Sequence, residues 1–166
     1  MELTAREKIA LPTDVVWEEI TAFERFEETL RRRGAKIERA RGSEGPVAEG
    51  TVWLTEFTFS GRARTAEIAM RTLKRPQAMR LDGTGSGLEG VVEITLTAPD
   101  AGHTVLDLSA TLRATGLGAK VLLQPLKLAR GKLQAQLDAT AAKIARDAEQ
   151  RHGANAVAQV KDGEQK

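Results

Sequence analysis

The sequence predicts an α+β fold: a seven-stranded antiparallel curved sheet wrapped around a long C-terminal helix, with two short helices after the first strand. Three observations carry this. Apolar and polar residues alternate over the first eleven positions. Turn signals then recur about every ten residues through the middle of the chain. After Gly116 the apolar spacing changes to a helical period. A length of 166 residues suits one domain with a substantial core.

In the opening segment Leu3, Ala5, Ile9 and Leu11 share one phase and Glu2, Thr4, Arg6 and Lys8 the other, the pattern of a half-buried strand. Pro12 and Thr13 stop that strand and offer a helix cap. Val16, Ile20, Phe23 and Leu30 then recur at helical spacing up to Gly34. Thr21 followed by Glu24 reads as a capping box, which divides the stretch into a short helix and a second helix closed by Gly34.

Between Ala35 and Thr115 the turn signals RGSEGP, Ser60-Gly61, Arg75-Pro76, GTGSG, PDAG and Thr115-Gly116 separate six more strands. These are Lys36 to Arg41, Gly50 to Phe59, Arg62 to Leu73, Ala78 to Asp82, Gly90 to Thr97 and Thr104 to Arg113. The last two alternate clearly, so the sheet has one apolar face. Leu122, Leu126, Ala129, Leu133, Leu137, Ala141 and Ile144 mark one stripe of a long helix reaching Gln150, whose first turns Pro125 and Gly131 weaken, predicting a kink or late start near Pro125. The concave sheet face and the helix stripe must bury each other, which leaves open whether side chains fill the gap or a ligand does. Residues 1–152 form the domain, and 153–166 read as a disordered tail.

Composition excludes several function classes. Twenty-five Lys and Arg against 23 Asp and Glu give a charge of +2, which predicts no nucleic-acid partner. Without cysteine there is no disulfide scaffold, thiolate metal site or cysteine nucleophile. Glu2, Arg6, Glu7 and Lys8 interrupt any signal-peptide core, and no apolar run suffices for stable membrane insertion, so the expected compartment is the cytoplasm. No cofactor or metal is expected, and a homo-oligomer stays open.

GTGSG, Gly83 to Gly87, has the glycine content of a phosphate loop but is followed by a strand pattern rather than a helix, so it reads as a flexible hairpin at a cavity mouth. His103 and His152 stand in polar surroundings with no second ligand at metal-binding spacing and read as solvated surface residues, which argues against triad and metal hydrolases. On the last helix Lys120, Lys127, Arg130, Lys132, Lys143 and Arg146 outnumber Asp138, Asp147 and Glu149. This reads as a solvated face, with an anionic membrane or acidic partner as the alternative, because the apolar stripe is committed to the sheet.

The order of elements, and the first strand running into ALPTDVVWEEI with its Val16-Trp17 pair, resemble the START-like (SRPBCC) superfamily and its helix-grip fold. The polyketide-cyclase-like and CO-dehydrogenase-subunit-G-like groups look most similar, although the glycine-rich proline motif usual in the latter is not evident. The resemblance implies an apolar cavity between sheet and last helix that takes lipids, polyketides or other hydrophobic molecules. The chain has no tyrosine, so a phenol donor of the kind some family enzymes use is missing.

Candidate ligand-binding residues follow from strand phase. Trp53, Phe57 and Phe59 share a phase expected to face inward, and with Ile68, Met70, Met79 and Leu81 they form an apolar wall. Glu7 and Arg64 fall on otherwise apolar phases, where a buried charge needs a partner or a ligand; the alternative is that each reaches solvent near a strand end. Leu126, near the kinked start of the helix, is expected to border the cavity. The expected function is binding or transport of a small hydrophobic, lipid-like or polyketide-like ligand, without catalytic residues. A cyclase or dehydratase using Glu7 or Arg64, or an accessory protein holding a larger partner, are the alternatives.

Overall fold

A computed structural model of the chain describes residues 1–59 and 61–153. The expected tail from 154 onward lies outside the described residues, and Gly153 closes a π-helical turn, Glu149–Gly153. Strand β1 (Glu2–Ile9) is followed by α1 (Thr13–Ile20), α2 (Phe23–Arg32), β2 (Lys36–Arg39), β3 (Val52–Phe59), β4 (Arg62–Lys74), β5 (Ala78–Gly85), β6 (Leu88–Asp100), β7 (His103–Ala114), α3 (Leu117–Leu128) and α4 (Arg130–Ala148). The seven strands form one antiparallel sheet in the order β1-β7-β6-β5-β4-β3-β2. The first two strands, β1 and β2, thus become its edges, and the last, β7, lies beside β1.

Register fixes the faces, because directly paired residues point to the same side. The inward phase runs from Ile9, Ala5 and Leu3 on β1, through Thr104, Leu106 and Leu108 on β7, to Leu96 and Ile94 on β6. It continues through Met79 and Leu81 on β5, Met70 and Ile68 on β4, and Trp53 on β3. A β-bulge between Met70 and Thr72 shifts the phase by one residue, so Met70 and Leu73 both face inward although three positions apart. Ile9, Val16, Trp17, Met70, Met79 and Leu106 form the core where this end of the sheet meets α1 and α4.

Four expectations change at the helices and turns. The capping box is not formed: the Thr21 hydroxyl donates backward to the Trp17 carbonyl at 2.7 Å, so Thr21 ends α1 and Ala22 opens α2 without a side-chain cap. Pro12, not Thr13, is the cap residue of α1, and the Thr13 hydroxyl accepts from that of Thr104 at 3.3 Å. The single long helix is two, broken at Ala129 between Pro125, which lacks an N–H, and Gly131, which weakens the following turn. Arg130 and Gln134 then donate to the carbonyls of Glu2 and Thr4, which draws α4 along the β1 edge. Finally, GTGSG is a hairpin as expected, but most of it belongs to β5 rather than to the turn. β5 pairs with β6 through Gly85↔Leu88, and only Ser86 and Gly87, both at positive φ, make the turn, as a two-residue hairpin requires.

Candidate functional site

The concave face has a closed and an open end. At the closed end Ile9, Leu106, Leu96, Met79 and Met70 are buried under α1 and α4. At the open end the inward phase carries Phe57 on β3, Arg64 and Ala66 on β4, Gly83 and Gly85 on β5, Gly90 and Val92 on β6, and Ala110 and Leu112 on β7. Glycine and alanine make a low floor here. Phe57 stays 38% exposed and Val92 40% exposed on the same face that buries Met70 and Leu106. Helix α3 leaves the end of β7 beside this region; a Cβ on Gly87 would stand 2.9 Å from Ala119, and Leu126 is half-buried.

The ten residues expected at the site separate along this axis. Trp53, Met70 and Met79 are buried in the core, and Ile68 and Leu81 pack half-buried against it. Trp53 is held on every side: its ring meets Phe23 at 6.0 Å between centroids, Arg39 lies 5.5 Å from its centroid, and its indole N–H donates to Glu27 at 3.0 Å. Phe57, Phe59 and Arg64 lie together at the open end, where Phe57 pairs with Arg64 and the Arg64 guanidinium sits 5.7 Å from the centre of the Phe59 ring. Arg64 also donates to the Phe59 carbonyl at 3.2 Å, which places it at the strand end beside the turn.

Glu7 is half-buried on the inward phase opposite Leu106, and no hydrogen bond or ion pair engages its carboxylate among the described residues. Four strand spacings separate its strand from that of Arg64, roughly 19 Å along a flat sheet. The two charges are therefore not brought to one centre.

Glu27 is the residue the sequence reading missed. It is a buried carboxylate on α2 that accepts from Trp53 and from Arg39 at 2.8 Å, with Arg31 at 3.6 Å. Burial pushes its pKa up, but the indole and Arg39 hydrogen bonds and the Arg39 and Arg31 charges outweigh that and leave it lowered. Its sequence signal was weak, since Glu27 lies in a run of charged residues and only its place four positions after Phe23 aligns it with the apolar side.

The histidines differ from expectation in part. His103 bonds through Nδ1 to Asp100 at 2.8 Å, and that bond, with one from the Gly102 N–H, holds the Asp100 pKa below its ordinary value. His152 is half-buried rather than solvated, with Nε2 3.3 Å from Glu19, which Arg151 also engages. No cluster of three potential metal ligands occurs among the described residues. A depression of about 940 Å³ lies at β2 to β5, lined by Lys36, Glu38, Leu54, Glu56 and Glu67 of the outward phase and also by Thr55, Ala66 and Gly85 of the inward one. None of the ten expected residues borders it.

No family model matches the sequence, and no curated protein matches it. Solved structures do. An aromatase/cyclase from Streptomyces sp. R1128, Zhui, superposes with a TM-score of 0.65 at 18% identity, covering 91% of this chain and 94% of that one. Norcoclaurine synthase from Thalictrum flavum, a point mutant holding a transition-state analogue, gives 0.64 at 15% identity over 92% and 96%. Ara h 8.0201 gives 0.54 at 17% identity over 86% and 98%. This is the helix-grip fold. The expected START-like architecture is thereby established at the level of fold. As a helix-grip chain it departs from the sequence expectation chiefly in the division of the gripped helix into α3 and α4.

Proposed function

We propose that the protein binds a small hydrophobic molecule, lipid-like or polyketide-like, between the open end of the concave sheet face and α3. The observation that carries the reading is the combination of exposed Phe57 and Val92 with a floor of Ala66, Gly83 and Gly90 on a face that is otherwise core. Small inward residues leave volume, and exposed apolar side chains around that volume gain free energy when a ligand removes them from water. Arg64 at the rim would meet a polar head group, and Phe59, Ile68, Leu81 and Leu126 would border the apolar body. Glu7, on β1, would serve a ligand long enough to cross the sheet. Solved neighbours named as an aromatase/cyclase and a norcoclaurine synthase support the reading, since both are named for work on small organic molecules. The distance between the strands of Glu7 and Arg64 favours binding over paired acid-base catalysis.

Native mass spectrometry of gently purified protein, with thermal shifts against a panel of fatty acids and aromatic polyketides, tests this. The expected result is a retained ligand or a raised melting temperature that Phe57→Ala diminishes. Bare chain with no shift from any member of the panel overturns it.

A further inference from the structure

Helix α3 is apolar on two opposite sides, and only one of them is used by the fold. Ala119 and Leu123 are buried, and Leu122 and Leu126 half-buried. On the other side Leu117 is 82% exposed, Val121 70% and Leu128 89%. At 3.6 residues per turn these three project within an arc of about 40°. The expected stripe, Leu122 and Leu126, is half-buried on the used side, but α3 carries a second apolar stripe offset from it by half a turn, which the sequence reading did not foresee. Lys120 and Lys127, both exposed, flank the outer stripe on one side.

Charge selects the occupant. Between Asp107 and Asp138 the chain has Arg113, Lys120, Lys127, Arg130 and Lys132 and no acidic residue. Glu89, on the neighbouring hairpin, is tied to Arg113. A second copy docked about a two-fold axis would place Lys120 and Lys127 against their own counterparts, which is repulsive. Exposed leucine and valine beside lysines that form no ion pair among the described residues instead match the boundary between acyl chains and anionic head groups. No described helix is long and apolar enough to cross a membrane, so the contact lies in the surface plane.

We propose that the outer face of α3 docks reversibly on an anionic lipid surface, with Leu117, Val121 and Leu128 entering the head-group layer and Lys120 and Lys127 beside its phosphates. This goes beyond ligand binding and stands independently of it.

The test is co-sedimentation of the full chain with vesicles of phosphatidylcholine alone and of phosphatidylcholine with phosphatidylglycerol. Binding is expected to the anionic vesicles only and to weaken with salt. Lys120→Glu with Lys127→Glu should lower the partition coefficient by roughly tenfold to a hundredfold. Leu117→Ser with Leu128→Ser should lower it by at least about tenfold. Circular dichroism and melting temperature should be unchanged in both, since the altered side chains are exposed. Equal binding to neutral vesicles, no binding, or binding indifferent to both double variants overturns the proposal. So does a dimer in sedimentation velocity that Leu128→Ser dissociates without vesicle binding, which would assign the face to a second copy. Binding to polyglutamate but not to vesicles would assign it to an acidic protein.

Discussion

Glu27 accepts a 3.0 Å hydrogen bond from the indole N–H of Trp53, joining α2 to β3 inside the core. Arg39 from β2 completes the junction on the same carboxylate oxygen. A buried carboxylate is tolerated here because each acceptor site it uses meets a donor. The arrangement buries Trp53 at the closed end, away from the exposed Phe57 nearer the β3–β4 turn.

Glu27→Ala is expected to lower stability by about 2–4 kcal/mol, since it strands the Trp53 N–H and the Arg39 guanidinium. Urea denaturation checks it. The Glu27 pKa is lowered on folding, so its contribution is complete above the ordinary value of 4.5 and is lost as pH falls through the folded value. Between pH 5 and 3, about the range in which carboxylates titrate, wild type should therefore lose more stability than Glu27→Gln. Parallel curves for the two would contradict the assignment.

Gly85 and Gly83 should respond oppositely to alanine. A Cβ on Gly85 would stand 2.4 Å from the backbone oxygen of Thr65, which cannot yield as a side-chain end would, whereas on Gly83 nothing comes nearer than 3.9 Å. Gly85→Ala should cost about 1–3 kcal/mol, and Gly83→Ala should be neutral or stabilising. Thermal melts of the two variants separate them.

The two sides of α3 should differ in the same way. Leu123→Ala empties a packed site and should cost about 2–4 kcal/mol. Leu128→Ala, on a side chain already 89% exposed, should stay within about 0.5 kcal/mol. Equal losses would show that the outer stripe is covered in solution.

Ligand affinity should follow position along the concave face. Phe57→Ala and Arg64→Met, at the open end, are expected to weaken binding of an apolar fluorescent probe severalfold, by analogy with the loss of single buried contacts. Trp53→Phe should leave probe affinity unchanged and reduce stability, because it removes the bond to Glu27. The reverse pattern would move the pocket to the closed end.

The succession of strands along the chain, their phase and the inward set from Trp53 to Met79 were legible in the sequence, because a period of two and the turn residues between strands are local properties, whereas the place of β1 beside β7 was not. Arg64 fell on the apolar phase for the same reason, as its pairing with Phe57 bears out. Tertiary structure alone decided the rest. Whether Thr21 caps α2 or bonds back to Trp17 depends on competing local partners of similar strength. The break at Ala129 needed Pro125 and Gly131, but its position was set by Arg130 and Gln134 reaching carbonyls of β1 more than 120 residues away in the chain. Most of all, periodicity shows that Leu117, Val121 and Leu128 share a face but not which face meets the sheet. Only packing, in which Ala119 approaches the β5–β6 hairpin and Leu123 is buried, leaves the first three in solvent.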